Sequence, residues 1–339
     1  MTKYVTIFPH WAPSFKVVSR YVYRALKEWS YKPYIADSTR YFFYSVNIIK
    51  RHLFRRGTVI LIGNFRDLPW FLKYLLLARP FSPNIVFYGV VEGPLSKTTR
   101  NTYSMLDRVI VASKYGAQRL WELSVKTDAI IPHAIDVAEF EDACRRKDVK
   151  KQDNKVTLLS VISALVPRKG LTIYFRALKT LLDKKPTLAN KITVVLKVPE
   201  AIEIPPELKK IITLISGWLD RSSLIKLYCD ADIVVIPSLN EGFSIPIIEA
   251  FAAGKPVISL DAPPMNELNS DRCGWLIKVR GSRIIGDHEF FIPDIDDFAE
   301  KLLDAIESDD KRNEYSVKVA NIRWRYHYQL CYKPLQYLV

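Results

Sequence analysis

The chain has no CxxC pair: its four cysteines, Cys144, Cys229, Cys273 and Cys331, stand apart along 339 residues. That spacing argues against a zinc site and against a disulfide framework, and makes a reducing cytoplasm the expected setting. The first residues lack the basic, apolar, small-residue progression of a signal peptide, and nowhere do about 18 uncharged apolar residues run together, so neither export nor a membrane span is expected. There is no internal repeat, no low-complexity tract and no recognised nucleic-acid-binding motif. Acidic residues are scarce at one end only. Residues 1–100 hold 16 Lys and Arg against 4 Asp and Glu, whereas the remaining 239 hold 34 against 32, so most of the net +14 is N-terminal. A field of one sign on one domain selects anionic partners and says nothing about fold.

With 49% apolar residue types the chain is long enough for two packed domains. Short β-branched runs, TVILIG (58–63), NIVFYGVV (84–91), RVIVAS (108–113) and AIIP (129–132), alternate with helix-like segments. The charged stretch EDACRRKDVKKQDNK (141–155) reads as a linker, after which VTLLSVIS, KITVVLKV, ITLISGWL, DIVVIPS and KPVISL repeat the alternation. Parallel strands with crossover helices follow, giving an α/β chain of two tandem Rossmann-like, doubly wound domains with a ligand cleft between them. The expected division is 1–150, strongly basic, then 151–320, with 321–339 packing back on the first domain.

Residues 240–259, NEGFSIPIIEAFAAGKPVIS, set Glu249 inside an otherwise apolar helix that Pro246 opens and Gly254 closes. Side chains lean toward a helix N-terminus, so Glu249 is expected to point at the N–H groups of Phe243, Ser244 and Ile245. Such a helix start binds phosphate, while the flanking Glu241 and Glu249 accept hydrogen bonds from the hydroxyls of an attached sugar. Taken alone, an acid near a helix start complements the dipole.

The run PSLNEGFSIPIIEAFAAGKPVI (237–258) resembles the signature of glycosyltransferase family 4, nucleotide-sugar-dependent enzymes of the GT-B fold with two glutamates separated by seven residues. SALVPRKG (163–170) resembles that family's phosphate-binding lysine loop. GWLDRSSLIKLYCDADIVVIPS, NEL with CGWLI, RVIVASKYGAQRL and IIPHAIDVAEF resemble further elements in the family's order. The resemblance covers roughly 107–280 by motif and the first hundred residues by architecture alone.

It implies a C-terminal donor domain. Glu249 would hold the ribose hydroxyls, and Glu241 those of the transferred sugar. Gly242, Phe243, Ser244 and Ile245 would cradle sugar and diphosphate, and Lys169 with Arg168 would neutralise the leaving diphosphate. Fixed cations act there because negative charge grows on the departing phosphate. The implied reaction retains anomeric configuration and needs no metal and no cofactor beyond the nucleotide sugar. Ala164 stands where the family has an arginine, the N-terminal glycine pair is replaced by PHWAPSF (9–15), and Glu92 stands where a histidine is usual. Glu92 and His133 are candidate phosphate or acceptor contacts. Asp230 with Asp232, and Asp294 with Asp296, imitate a metal motif but are placed as a strand opening and a helix cap.

Residues 41–56, YFFYSVNIIKRHLFRR, and the run FLKYLLLAR (71–79) read as basic amphipathic helices suited to an anionic bilayer. One expectation is a peripheral enzyme on the inner membrane face with a lipid-linked acceptor; of equal weight is that the aromatic faces pack on the domain's own sheet and the cations are simply solvated. Nucleic acid as the polyanion, hence a DNA-modifying glycosyltransferase, is the weaker alternative. A non-catalytic GT-B-like protein binding nucleotide or glycan is the reading from a different class. The oligomeric state leaves no trace in the sequence.

Overall fold

A computed structural model describes residues 4–36, 57–68, 79–80, 84–95, 101–103, 105–145 and 155–339. The 41–56 helix and all but the last residue of the 71–79 helix lie outside the described residues.

The chain divides into two compact units: Met1–Ile135 with Gly286–His288 and Tyr326–Val339, and Asp136–Ile285 with Glu289–Arg325. In the first, β1 (Tyr4–Pro9), β2 (Lys32–Ile35), β3 (Thr58–Asn64), β4 (Asn84–Val90), β5 (Arg108–Val111) and β6 (Ala129–Ile130) form one parallel sheet in the order β2-β1-β3-β4-β5-β6. Every residue of β3 is buried, as a parallel strand covered on both faces requires. Helices α1 (Pro13–Glu28) and α2 (Lys114–Trp121) belong to this unit. The closing segment also packs here: the Tyr328 hydroxyl lies 2.5 Å from Glu28 of α1, and Tyr326 and Ile135 share a backbone bond of 3.0 Å.

In the second unit, β7 (Val156–Val161), β8 (Ile192–Val198), β9 (Ile212–Ser216), β10 (Ile233–Ile236), β11 (Val257–Leu260) and β12 (Gly274–Ile277) are likewise parallel, in the order β9-β8-β7-β10-β11-β12. Its helices are α3 (Val137–Arg145), α4 (Leu171–Lys184), α5 (Arg221–Asp230), α6 (Ile245–Ala252), α7 (Met265–Leu268), α8 (Ile295–Glu307) and α9 (Asp309–Ile322). A two-stranded ribbon, β13 (Val279–Ile285) with β14 (His288–Pro293), has no counterpart in the sequence reading. Asp294 caps α8 by accepting from the Asp296 and Asp297 amides, and Asp232 accepts from the Thr157 amide. Among the described residues no helix is long and apolar enough to cross a membrane.

Two expectations are corrected. Glu141 to Arg145, read as linker, end α3, where Phe140 is buried; its local charge density hid one apolar face. Cys144 and Cys229, read as isolated, form a disulfide across 85 residues. It joins α3 to α5, a proximity that local cysteine spacing does not encode, and it removes composition as an argument for a reducing compartment.

Candidate active site

Numbered within its own unit, the second sheet runs 3-2-1-4-5-6, so strand order reverses between β7 and β10. Ligands of open α/β sheets bind beyond the carboxyl ends of the strands at such a reversal. The expected donor residues come together there. After β7 the chain turns through Pro167–Lys169, and after β10 it runs through Ser238 and Asn240 to Glu241. The two loops lock: the Leu239 amide donates to the Arg168 carbonyl at 2.7 Å. Gly170 has φ +69°, and a Cβ on it would lie 1.9 Å from the Pro237 carbonyl oxygen, so only glycine allows this approach.

Lys169 Nζ donates to Glu241 Oε1 at 2.6 Å, and Arg168 Nη1 lies 3.9 Å from Oε2. Lys169 and Glu241 are 9% and 7% exposed. Burial works to raise the Glu241 pKa, but Lys169, Arg168 and hydrogen bonds from Lys169 and Ser238 outweigh it and hold the carboxylate below its usual range. Both cations thus reach one carboxylate. Ion pairs this buried are weak stabilisers because desolvation offsets their attraction. Their use is better sought in what they bind.

Gly242 and Phe243 lead into Ser244, a non-glycine residue at φ +78° whose buried hydroxyl has no hydrogen-bond partner among the described residues. Left-handed backbone costs on the order of 1–3 kcal/mol for such a residue and gathers at functional sites. It turns the chain into α6, whose second residue is Pro246. Glu249 sits just past the first turn, with Arg221 Nη1 donating to Oε1 at 2.6 Å and the Tyr228 hydroxyl to Oε2 at 2.9 Å. Each oxygen keeps a second lone pair for a ligand hydroxyl. Arg221 and Tyr228, both on α5, were missed by sequence reasoning; the sole signal is that a buried carboxylate needs a donor, and it does not say which.

His133, open between a structural and a ligand role, lies in the first unit. It is 2% exposed, its Nδ1 lies 2.8 Å from the Tyr88 hydroxyl, and burial pushes its pKa down to about 3, so it brings no charge to a phosphate. Glu92 joins a different cluster, in the first unit. Its Oε2 accepts from Asn64 at 3.0 Å and pairs with Arg66 at 3.6 Å and His288 at 3.7 Å. Beside it, His10 lies 3.6 Å from Asp67. His10 follows β1 and Asp67 follows β3, the point where the first sheet's order reverses. Neither was singled out in the sequence, because each becomes conspicuous only when the strand order is known.

Residues 156–308 match the family described as glycosyl transferases group 1. The chain is 27% identical over 271 residues to the uncharacterized glycosyltransferase 335 of Sulfolobus islandicus rod-shaped virus 1, covering 75% of this chain and 79% of that one. It is 26% identical over 217 residues to the phosphatidyl-myo-inositol mannosyltransferase of Mycolicibacterium smegmatis, covering 62% and 52%. Among solved structures, trehalose-6-phosphate from E. coli bound with UDP-2-fluoro glucose aligns with TM-score 0.72 at 13% identity, over 99% of this chain and 98% of that one. An α,α-trehalose-phosphate synthase (UDP-forming) from Burkholderia xenovorans in complex with glucose-6-phosphate aligns with TM-score 0.70 at 14% identity. The solved structures show the GT-B fold, and the sequence matches make the chain a glycosyltransferase on it.

Proposed function

We propose that the chain is a retaining, family 4 type glycosyltransferase that takes a nucleoside diphosphate sugar in the second unit and a hydroxyl acceptor in the first. The observation that carries it is the Lys169–Glu241 pair with Arg168 at the β7/β10 reversal. Donor diphosphate would enter against Lys169, Arg168 and the start of α6, drawing Lys169 away from Glu241. Glu241, ionised and partly released, then accepts from a hydroxyl of the transferred sugar, and Glu249 accepts from the ribose. As the bond to phosphate breaks, Lys169 and Arg168 hold the growing charge, the role a metal would otherwise fill.

The acceptor belongs to the β1/β3 reversal of the first unit, where His10, Asp67, Arg66 and Glu92 offer donors and acceptors of balanced charge. A lipid-linked acceptor at the inner face of an anionic membrane is supported by 16 basic against 4 acidic residues in the first hundred, and by the phosphatidyl-inositol substrate in the name of the mycobacterial relative. The test is calorimetric binding of UDP, GDP, ADP and dTDP to wild type and Lys169→Arg and Lys169→Ala variants. One diphosphate is expected to bind wild type, more weakly the arginine variant, and the alanine variant least. Equal binding to all three removes Lys169 from the donor site.

A further inference from the structure

Glu249 is held by one helix, and that helix is held by another. From α5, Arg221 and Tyr228 occupy both Glu249 oxygens. From α3, Glu139 accepts from Arg221 Nε at 3.3 Å, and the Phe140 ring lies 4.8 Å beneath the Arg221 guanidinium and 5.9 Å from the Tyr228 ring. One turn further along α3, Cys144 is bonded to Cys229, the neighbour of Tyr228. The contacts fall at 139, 140 and 144 on α3, and at 221, 228 and 229 on α5. These are single faces of the two helices. Asp220 caps α5 by accepting from the Ser223 amide and so fixes where Arg221 begins its reach.

We propose that Arg221 and Tyr228 are positioning residues for Glu249, and that the Cys144–Cys229 bond keeps their helix seated, so that recognition of the donor ribose follows the oxidation state of this pair. The inference rests on the donor reading given above. A carboxylate that reads a ribose must present its free lone pairs at one angle, and two donors from one helix set that angle only while the helix keeps its place.

The bond is open to exchange at one end. Cys144 is partly exposed, whereas Cys229 is buried. A small dithiol attacks the Cys144 sulfur through its thiolate, and Cys229 leaves as a thiolate and takes a proton. The second thiol of the reagent then displaces Cys144, which also takes a proton. Two electrons and two protons pass to the protein, and the reagent becomes a disulfide. The other cysteines do not compete: burial pushes the Cys273 thiol up to about 11 and the Cys331 thiol up to about 12, which starves both of thiolate.

The experiment compares air-oxidised full-length protein with protein reduced by dithiothreitol. By calorimetry each form is titrated with UDP, GDP and ADP, with the 2′,3′-dideoxy form of whichever binds, and with pyrophosphate. The ratio of ribose to dideoxy affinity isolates the sugar contact; pyrophosphate reports the Lys169 end, which a general loss of structure would also move. In the oxidised protein the ratio is expected to be about tenfold or more, since hydroxyl bonds to a carboxylate are at stake. Reduction should bring it to within about twofold of unity with pyrophosphate binding unchanged. Tyr228→Phe, which keeps the ring packing, and Arg221→Lys should each lower the ratio in the oxidised protein. A ratio that persists on reduction and in Tyr228→Phe overturns the proposal while leaving the donor reading intact. Absence of any nucleotide binding in the oxidised protein overturns the donor reading itself, and this proposal with it.

Discussion

Both sheets reverse their strand order once, and the two reversals differ in their electrostatics. At β7/β10, Lys169 is buried against Glu241, and Arg168, partly exposed, lies 3.9 Å from the same carboxylate. At β1/β3, His10 and Arg66 stand against Asp67, and Arg66 and His288 against Glu92. Burial pulls His10 and Asp67 toward neutrality: the His10 pKa is lowered by desolvation against the opposing pull of Asp67, and that of Asp67 is raised by desolvation despite His10 and Arg66. A rule of topology places both sites. On the proposed function, that difference in electrostatics suits the second unit's reversal to an anion and the first unit's to uncharged hydroxyls.

The sharpest way to break that contrast is Lys169→Ala. It leaves the Glu241 charge buried beside Arg168 alone, which should cost on the order of 3–5 kcal/mol of stability. It also removes a cation from the leaving diphosphate, with a fall in kcat on the order of 10²–10³. Adding Glu241→Gln should restore most of the melting temperature without restoring turnover. Turnover of Lys169→Ala close to that of wild type would mean that this reversal is a structural ion pair.

Acid should part the two units by a smaller amount. His133 titrates near 6.5 in an unfolded chain and at about 3 when folded. Its folded pKa is depressed, so the folded state binds fewer protons between those values. Its contribution is full above pH 6.5 and is lost as pH falls, about 1.4 kcal/mol by pH 5.5. Glu241 is also depressed, but its contribution is lost only below the carboxylate range near pH 4.3. Asp67, raised by burial, acts in the opposite sense and again in the carboxylate range. Hydrogen exchange at pH 7 and 5.5, corrected for intrinsic rates, should show β3 and β4 losing protection before β7 and β10, and His133→Gln should shrink the difference to the part left by His10, whose pKa burial also lowers. Equal losses in both sheets would remove His133 as the cause.

The second unit was far more legible in the sequence than the first, for a physical reason. Its site is built from short loops in which chemistry and spacing coincide: Pro167–Lys169 after one strand, and Glu241 to Ile245 ahead of a helix that Pro246 and Gly254 punctuate. What was missed there acts across long separations, Arg221 to Glu249 over 28 residues and Cys144 to Cys229 over 85. In the first unit nearly everything is of that kind. His10 meets Asp67 only because β3 lies beside β1 with β2 on the far edge. His133 was open between a structural and a ligand role because a histidine after a strand can serve either; its burial against Tyr88 depends on packing that spacing does not record.

Asp67 offers the finest test of the comparison. Asp67→Asn keeps its shape and one acceptor oxygen but removes the charge that faces His10 and Arg66. If the β1/β3 reversal holds the acceptor by hydrogen bonds to hydroxyls, this change should raise the acceptor KM roughly fivefold, about 1 kcal/mol, with nucleotide affinity untouched. His10→Gln should move the same constant in the same direction, because the two side chains share one contact. A shift in nucleotide affinity equal to that in acceptor KM would show that the two reversals serve a single ligand, and the division by charge would fail. A change in acceptor KM alone would separate the sites, since uncharging a residue that merely supports the fold lowers both affinities together.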